Sequence, residues 1–232
     1  MFSVLPYYKQ AKKAGIKPII GCEIYVAVGS RFEKKTRSDG GWGNNHLILL
    51  AQNFTGYKNL MKLVTAGYLE GFYYRPRIDM DLLREYSEGL ICMSACLKGV
   101  VPEKMLKGDY EGARKEALSF SEIFQDRYYL EIQNHGIAEE EQNLKNMKKL
   151  SQDLNLPLVC TNDAHYAKKE HWEAHDIHIC LGTGKERSDP NRLRYATPEF
   201  YFKTQDEMHK LFKEFPGAIE NTRKIADSID IT

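Results

Sequence analysis

The sequence predicts an α/β fold, and three observations support this prediction. Short apolar runs that favour β-strands alternate with segments of helical periodicity along most of the chain. Most of these runs end at a polar residue of the kind that stands at a strand end. The chain has neither an internal repeat nor a low-complexity linker. This alternation is typical of proteins in which helices cover a mainly parallel sheet.

The first half of the chain is predicted to contain two helices and three strands. The first helix has Pro6 in its first turn, where proline is tolerated, and Gly15 follows it as a stop signal. The next apolar run begins directly after this glycine. The predicted helices are residues 4–14 and 57–68, and the predicted strands are residues 18–26, 46–51 and 90–94.

The second half begins with an amphipathic helix at residues 109–124, which Asp109 can cap. The apolar residues on one face of this helix are Ala113, Ala117, Phe120 and Phe124. A helix at residues 138–155 has three glutamates in its first turn and lysines further on, which suits the helix dipole and a solvent-exposed face. The remaining predicted elements are strands at residues 128–133, 158–161 and 200–203, a helix at residues 170–181 and two helices after residue 205.

The alternation weakens after residue 181, which predicts two parts. Residues 1–181 form the main α/β part, and residues 182–232 form a connecting segment with short helices. The chain opens into a helix that precedes its first strand, whereas a parallel α/β fold predicts a strand before that helix. We therefore expect a fragment that lacks its first strand. The strand at residues 19–26 would then have an unpaired edge and exposed apolar surface.

The composition excludes several classes of protein. Of the 232 residues, 42% are hydrophobic and 28% are charged, so the chain can bury a sizeable core and is not disordered as a whole. The 33 lysines and arginines balance 32 aspartates and glutamates, so the net charge is +1. Any surface that handles phosphate must therefore be local. No apolar run approaches the roughly 18 to 20 residues of a membrane span.

The cysteines indicate a reducing cytoplasm. Their number is odd, no pair has CxxC spacing, and residues 1–13 lack the charged-then-apolar order of a secretory signal. Single cysteines of this kind are more often inert core residues than reactive ones. The five are Cys22, Cys92, Cys96, Cys160 and Cys180.

Polar residues at the predicted strand ends form the main candidate site. The carboxyl ends of parallel strands meet at one edge, so side chains from separate strands converge there. Imidazole, thiolate and carboxylate groups are ligands of Zn, Mn and Fe. Any single histidine is more often a core or surface residue with a hydrogen-bond partner than a metal ligand, and no short consensus fixes these ligands. The candidates are Glu23, His46, Cys96, His135, Asp163 and His165.

A second group of histidines lies at helical spacing. His171, His175 and His178 occupy positions i, i+4 and i+7, where they could hold a metal on one helix face. The group lacks the glutamate of an HExxH motif. Apolar residues between the histidines indicate that part of this helix packs against the protein. We therefore interpret the group as mainly structural.

Two basic segments are candidates for contact with a nucleic-acid backbone. The segment at residues 31–43 contains Lys34 and Lys35, and the segment at residues 72–77 contains Arg75 and Arg77 among aromatic residues. Basic and aromatic side chains together can bind phosphates and stack on bases. A hydrophilic loop and a packed turn are the simpler interpretations, and both alternatives stay open.

Several strings together resemble the polymerase and histidinol phosphatase (PHP) domain family, in the form found in bacterial replicative DNA polymerase III alpha subunits. The strings are AGIKPIIGCE at residues 14–23, NHLILLA at 45–51, TGYKNL at 55–60, GFYYRPRID at 71–79, EIQNHG at 131–136 and TNDAHY at 161–166. The resemblance runs the whole length of the chain. Residues 197–208 and 221–226 are similar to the family's passage toward the polymerase body.

The resemblance implies a (β/α)7 barrel with up to three metal ions at its mouth, and the barrel is expected to be incomplete here. The positions that match the family's metal ligands are Glu23, His46, Cys96, Asp163 and His165, and His135 lies in a matching string. The family's opening His-x-His and its following Asp-His-Gly are expected before residue 1. Four ligands are therefore expected to be absent from this chain.

The resemblance also implies a function, with alternatives. The first is an enzyme module with a metal-dependent phosphoesterase or 3′–5′ exonuclease site, holding Zn, Mn or Fe, within a replicative DNA-directed DNA polymerase. The polymerase carboxylates and their Mg are expected beyond Thr232, so this chain alone is expected to be inactive. DNA and other polymerase subunits are the implied partners, and no membrane is implied. The second alternative is a non-catalytic barrel that braces the polymerase and binds a subunit. The third is a free histidinol-phosphatase-like enzyme, which predicts no polymerase-like tail.

Overall fold

The computed structural model describes residues 1–34 and 44–231, in which nine α-helices and six strands form a mixed α/β fold. The helices are α1 Val4–Lys13, α2 Phe54–Leu69, α3 Met80–Tyr86, α4 Val100–Leu106, α5 Tyr110–Phe124, α6 Ala138–Leu154, α7 Trp172–Thr183, α8 Gln205–Leu211 and α9 Pro216–Ser228. The strands are β1 Gly21–Ala27, β2 Asn44–Ala51, β3 Arg77–Ile78, β4 Leu90–Met93, β5 Tyr128–Ile132 and β6 Leu158–Cys160. None of the described helices has the length and apolar character of a membrane span.

Local sequence signals explain where several helices begin. The side chains of Asn53, Asp79 and Asp109 each accept a hydrogen bond from a backbone N–H in the first turn of α2, α3 and α5. Thr204 and Glu207 form a capping box at the start of α8. These side chains satisfy backbone donors that a helix start would otherwise leave without a partner.

The elements agree with the sequence pattern over most of the chain, with a few differences. The short elements β3, α3 and α4 have no counterpart among the predicted ones. The strand predicted at residues 200–203 is reduced to a single bridge between Tyr166 and Tyr201. A 3-10 turn at Lys169–His171 precedes α7, so the α-helix begins two residues after its predicted start.

The six strands form one sheet in the order β3-β1-β2-β4-β5-β6. The pairs β1–β3, β4–β5 and β5–β6 are parallel, but β2 is antiparallel to both β1 and β4. Three of the five strand pairs are therefore parallel, as a mainly parallel sheet requires, and β2 is the exception. Helices between β4, β5 and β6 supply the crossovers that parallel pairing requires, whereas residues 28–34, the described part of the β1–β2 connection, contain no helix.

The reversal of β2 decides where His46 lies. The amino-terminal end of an antiparallel strand lies beside the carboxyl ends of its neighbours. The register places His46 opposite Tyr25 of β1, and Ile48 opposite Met93 at the end of β4. His46 therefore lies at the edge where β1 and β4 end, although it stands near the start of its own strand.

One face of the sheet carries the hydrophobic core. Leu47 and Leu49 of β2 are almost completely buried, while His46, Ile48 and Leu50, which alternate with them, are half-buried, which is the two-residue period of a strand. Helices α2, α5 and α6 pack over the sheet, and Leu63 of α2 and Phe124 of α5 are fully buried in the same cluster. The opposite face of β2 carries His46 next to the half-buried Ile48 and Leu50.

The residues after position 181 share this core. Helix α9 packs against β6, and Phe212, Ile225 and Ile229 belong to the same buried cluster. The backbone N–H of Asp230 donates to the carbonyl of Gln52 at 2.7 Å. The boundary between residues 181 and 182 stays a prediction, and the residues on its two sides are packed together.

The sheet is open in the described part of the chain. Strands β3 and β6 stand at its two ends, and no described pairing joins them. Strand β1 pairs with β3 only at Tyr25 and Val26, so the first four residues of β1 have no described strand on that side. Phe2, which lines a shallow cavity together with Gly21 of β1, is 93% exposed, and Leu5 of α1 is 61% exposed. The exposed apolar edge expected from the sequence stays a prediction.

Candidate metal centre

Three predicted ligands, Glu23, His46 and Cys96, lie together at one edge of the sheet. The Nδ1 atom of His46 is 2.5 Å from Oε1 of Glu23 and 3.6 Å from Sγ of Cys96. Glu23 and His46 face each other diagonally across the β1–β2 pair, and Cys96 follows β4, the other neighbour of β2. The backbone N–H of His46 donates to the carbonyl of Lys98 at 3.0 Å, which holds the loop after β4 beside β2. Three adjacent strands thus bring the three side chains together.

The electrostatics of this group favour an ionised Glu23 and a protonated His46. Burial disfavours the charge on His46, but hydrogen bonds to Cys96 and Glu23 outweigh it and raise the pKa of His46 to about 9. The hydrogen bond from His46 in turn lowers the pKa of Glu23. The ring of Tyr25 packs edge-on against His46, with ring centroids 5.2 Å apart. A metal ion that takes His46 as a ligand would displace its proton.

The other two predicted ligands, Asp163 and His165, lie on the loop after β6. The Nε2 atom of His165 is 3.2 Å from Oδ1 of Asp163. The backbone N–H of His165 donates to the carbonyl of Phe200 at 2.8 Å, and the side-chain amide of Asn162 donates to the carbonyl of Tyr201 at 2.8 Å. Residues of the predicted connecting segment therefore shape the loop that carries these two ligands.

Tyr195 packs against His165 of the second group of ligands. Its hydroxyl lies 3.0 Å from Nε2 of His165, and the two ring centroids are 4.7 Å apart. Burial, together with the charges of Asp163 and Glu23, raises the pKa of Tyr195. The charge of His165 is also among the effects that lower the pKa of Glu23. The two groups therefore lie within electrostatic range of one another.

His135 lies behind this site. It is 1% exposed, its Nδ1 atom is 2.8 Å from Oε1 of Glu140, and its Nε2 atom accepts a hydrogen bond from the backbone N–H of Asp163 at 3.2 Å. The ring also stacks on Phe200, with centroids 4.3 Å apart. Both ring nitrogens are engaged, so His135 positions the Asp163 loop. This geometry does not favour the prediction that His135 is a metal ligand.

Glu131 is a buried residue beside the site that the sequence analysis did not single out. Its carboxylate accepts a hydrogen bond from the backbone N–H of Ala95 at 2.9 Å and another from the hydroxyl of Thr161 at 2.5 Å. Burial raises the pKa of Glu131 to about 7. Because Ala95 directly precedes Cys96 and Thr161 lies two residues before Asp163, Glu131 ties together two loops that carry ligands. A glutamate inside an apolar strand is the signal that could have identified it.

The second histidine group divides in the structure. His171 and His178 are exposed, whereas His175 is half-buried and its ring centroid lies 5.7 Å from that of His165. The ring of His175 is also 5.3 Å from that of Tyr195. The mainly structural interpretation therefore does not describe His175 completely, because this residue packs against the candidate site.

Arg77 does not have the position that contact with nucleic acid requires. It is 2% exposed, and its guanidinium donates to the carbonyls of Gly71, Arg31 and Glu33 at 3.0, 3.3 and 2.8 Å. These bonds hold two loop segments against β3. The packed-turn interpretation fits this geometry, which does not favour the prediction that Arg77 contacts a nucleic-acid backbone.

The other predicted nucleic-acid contacts have different surroundings. The Nζ atom of Lys34 donates to two backbone carbonyls in the segment after α2, at 2.7 and 2.9 Å. Arg75 is exposed, and its guanidinium lies 5.8 Å from the ring centroid of Tyr25, next to the candidate site. Lys35 lies outside the described residues. Of this set, Arg75 has the position that best suits contact with a phosphate.

The five predicted ligands fit a transition-metal centre by their chemistry. Two carboxylates, two imidazoles and one thiol are donors that Zn, Mn and Fe accept. Within residues 1–34 and 44–231, no group of three or more such side chains already has the spacing of a metal site. His46 instead contacts Glu23, and His165 contacts Asp163. A metal ion would replace these internal contacts.

Comparisons with known proteins concern both the first half and the whole chain. The PHP domain family matches residues 1–135. The chain is 51% identical over 230 residues, 99% of its length, to DNA polymerase III subunit alpha of Borreliella burgdorferi. Its whole length is 45% identical to the protein of that name from Treponema pallidum and 40% identical to that from Thermus aquaticus. The chain spans 20%, 20% and 19% of the length of these three relatives.

Proposed function

The chain belongs to the PHP domain family, and on that premise we propose that it serves as the PHP domain of a bacterial replicative DNA polymerase III alpha subunit. The similarity to alpha subunits supports this proposal because it includes the residues after position 181. Its activity is metal-dependent hydrolysis of a phosphodiester at the 3′ end of DNA. The contact of His46 with both Glu23 and Cys96 is the observation that carries the activity.

The proposed metal ligands are Glu23, His46, Cys96, Asp163 and His165. Zn, Mn or Fe held by these residues would lower the pKa of a water molecule and offset the negative charge of the phosphate. The thiol and the imidazoles suit a borderline-soft metal, and the two carboxylates add negative charge that attracts a cation.

The surrounding residues hold the donor set in place. Glu131 fixes the backbone before Cys96 and the hydroxyl of Thr161, and His135 fixes the backbone of Asp163. Tyr195 covers one side of His165 and places a hydroxyl at the site. Supporting groups of this kind set the orientation of metal ligands, and their loss usually weakens metal binding.

The wider role follows from the alpha-subunit relatives. The six-stranded sheet is proposed to be part of a (β/α)7 barrel, with residues 182–232 leading toward the polymerase core. DNA-directed DNA synthesis, with Mg at the polymerase site, would be carried out by the alpha subunit as a whole. DNA and the other polymerase subunits would be its partners, and its location would be the bacterial cytoplasm.

A non-catalytic role is the second candidate, and one observation favours it. Among the described residues, the ligand side chains are satisfied by each other: His46 by Glu23, and His165 by Asp163. A barrel that only braces the polymerase and binds a subunit needs no metal in this position. A free histidinol-phosphatase-like enzyme is not favoured, because the similarity to alpha subunits extends over the whole chain.

The test compares Asp163→Ala with His171→Ala in a polypeptide in which this chain is extended to the full alpha-subunit length. Asp163→Ala removes a charged ligand, so metal content should fall and metal-dependent removal of 3′ nucleotides should drop by at least about a hundredfold. His171→Ala removes an exposed imidazole and should change neither quantity. Elemental analysis and a labelled primer measure the two effects.

The outcomes separate the two candidate functions. A protein that contains no transition metal and releases no 3′ nucleotide favours the non-catalytic barrel. Loss of activity in His171→Ala with full activity in Asp163→Ala would make the assigned ligands wrong.

A further inference from the structure

A cleft of about 650 Å³ lies between α7 and the loop that follows it. Trp172 and Asp176 of α7 form one wall, and Arg187, Arg192 and Arg194 line the other side. Three arginines in one cleft are notable in a chain whose net charge is only +1. The sequence analysis assigned no function to these residues.

The cleft is held in shape by a buried ion pair. The guanidinium of Arg192 contacts both carboxylate oxygens of Asp176, at 2.5 and 2.8 Å, and both side chains are at most 10% exposed. The Nε atom of Arg192 also donates to the carbonyl of Arg187 at 3.1 Å, which fixes the loop. Bidentate pairs of this kind give geometric definition as well as energy. The loop is therefore anchored to α7.

Positive charge remains after these pairs are counted. Arg187 lies 3.4 Å from Asp176 and 3.6 Å from Glu173. Asp176 is already paired with Arg192, and Glu173 is exposed to solvent, so neither carboxylate fully neutralises Arg187. Within the part of the chain that the structure describes, Arg194 forms no ion pair, and it is exposed. Its guanidinium is near enough to Asp176 to lower the pKa of that carboxyl. Arg194 is therefore free to bind an anion from solution.

Trp172 and Tyr195 extend the cleft in two directions. Trp172 is 42% exposed, which leaves part of its indole ring open to a planar partner. Tyr195, which follows Arg194, lines the same cleft and places its hydroxyl 3.0 Å from Nε2 of His165. The cleft therefore adjoins the candidate metal centre through one aromatic ring.

We propose that this cleft binds a single strand of DNA beside the metal centre. Arg194 contacts a phosphodiester of the strand, and Trp172 stacks on an unpaired base. Single-strand sites usually combine a basic side chain that binds the phosphate with an aromatic ring that stacks on the base. The Tyr195 hydroxyl, which contacts His165, then donates to the next phosphate of the strand and places it beside His165. This last step rests on the proposed function, whereas binding of the strand does not require the metal.

The test measures binding without metal. The chain is mixed, in EDTA, with a fluorescent oligothymidylate of about 12 nucleotides, and anisotropy is followed from low to high salt. Arg194→Gln should lower the slope of log affinity against log salt by about 0.7, the value for one phosphate contact on a single strand. At about 0.1 M salt this corresponds to roughly fivefold weaker binding. Trp172→Ala should weaken binding about tenfold, and Trp172→Phe should retain most of it.

Arg223→Gln is the matched control, because Arg223 is exposed on α9 and pairs with Asp227 away from the cleft. It should bind the oligonucleotide as the unchanged chain does, and thermal melting verifies that all variants fold. Failure of the unchanged chain to bind, or equal binding by the Arg194, Trp172 and Arg223 variants, would overturn the proposal. Binding in EDTA without hydrolysis in the metal-loaded alpha subunit would count against the proposed function alone. Hydrolysis with an unchanged KM in Arg194→Gln would count against the cleft alone.

Discussion

The Nδ1 atom of His46 lies 2.5 Å from the Oε1 atom of Glu23, and this contact depends on the antiparallel direction of β2. His46 is the third residue of an eight-residue strand. In a parallel β2 the third residue would lie near the opposite edge, roughly 15 Å from the carboxyl end of β4. Cys96, which follows β4, could not then reach the imidazole. One reversed strand therefore creates the ligand group.

Cys96 is expected to contribute a sulfur ligand to bound metal. Thiolate coordination to Co²⁺ gives a charge-transfer absorption in the near ultraviolet that imidazole and carboxylate ligands do not give. Titration of the chain with Co²⁺ should produce this band, and Cys96→Ser should abolish it while weakening metal affinity about tenfold or more. Absorption spectroscopy and competition with a chelator measure the two effects.

Cys22→Ser is the control for this experiment. Cys22 neighbours Glu23 on β1, but its thiol contacts the carbonyl of Glu23 and none of the predicted ligand side chains. The band should therefore persist in Cys22→Ser. A band that survives in Cys96→Ser and disappears in Cys22→Ser would identify Cys22 as the sulfur ligand and contradict the assignment to Cys96.

Glu131 is expected to make the stability of the protein depend on pH. Burial raises its pKa from 4.5 to about 7, so between these values the folded protein keeps a proton that the unfolded chain has released. The free energy of unfolding should therefore fall as the pH rises through this window, by up to about 3 kcal/mol. The nearby charge of Asp163 acts in the same direction, while the groups that donate to Glu131 oppose it. Urea denaturation in EDTA at about pH 5 and about pH 8 measures the change.

Glu131→Gln should make this dependence shallower, because the amide has no proton to lose. The part that remains above about pH 6.5 comes from His46, whose raised pKa of about 9 also makes the free energy of unfolding fall as the pH rises. Glu139→Gln, on the exposed first turn of α6, should leave the dependence unchanged. A dependence that is equally steep in Glu131→Gln would show that other groups cause it.

The predictability of the site differs from residue to residue. Glu23 and Cys96 stand on or directly after apolar runs, so the search for polar residues at strand ends identifies them. His135 satisfies the same rule, yet its neighbour Glu140, five residues later on α6, occupies one of its ring nitrogens. Tyr195 comes from a loop without periodicity, and only the packing of that loop onto β6 brings it to His165. Sequence patterns report strand ends, whereas these contacts depend on tertiary packing.

The fold shows the same division. Helix α5 was predictable because Asp109 caps it and four apolar residues share one face. The direction of β2 was not, since the apolar run at residues 47–51 is compatible with a strand that runs in either direction. Helices α3 and α4 have seven residues each, which is too short for periodicity to separate them from loops. Length and capping decide what the sequence can reveal.

Arg77 is expected to be a major stabilising residue. Its replacement by alanine leaves three backbone carbonyls, one of them on the buried Gly71, without their charged donor, and the free energy of unfolding should fall by about 3 kcal/mol. Arg75→Ala, two residues earlier and exposed, should change stability by less than about 0.5 kcal/mol. Thermal or urea denaturation compares the two variants. Equal stability of both would show that the buried guanidinium contributes nothing to the loop.

Two glycines should respond to alanine in opposite ways. A Cβ atom on Gly56, in the first turn of α2, would lie 1.7 Å from the carbonyl oxygen of Gly89, so backbone must move and stability should fall by at least about 3 kcal/mol. Gly182, near the end of α7, has no atom within 4 Å of its Cβ position and lacks a left-handed φ. Gly182→Ala should therefore stabilise the protein by about 0.5 kcal/mol through lower entropy of the unfolded chain. Denaturation of both variants tests the close contact of α2 with the turn before β4, and a harmless Gly56→Ala would contradict it.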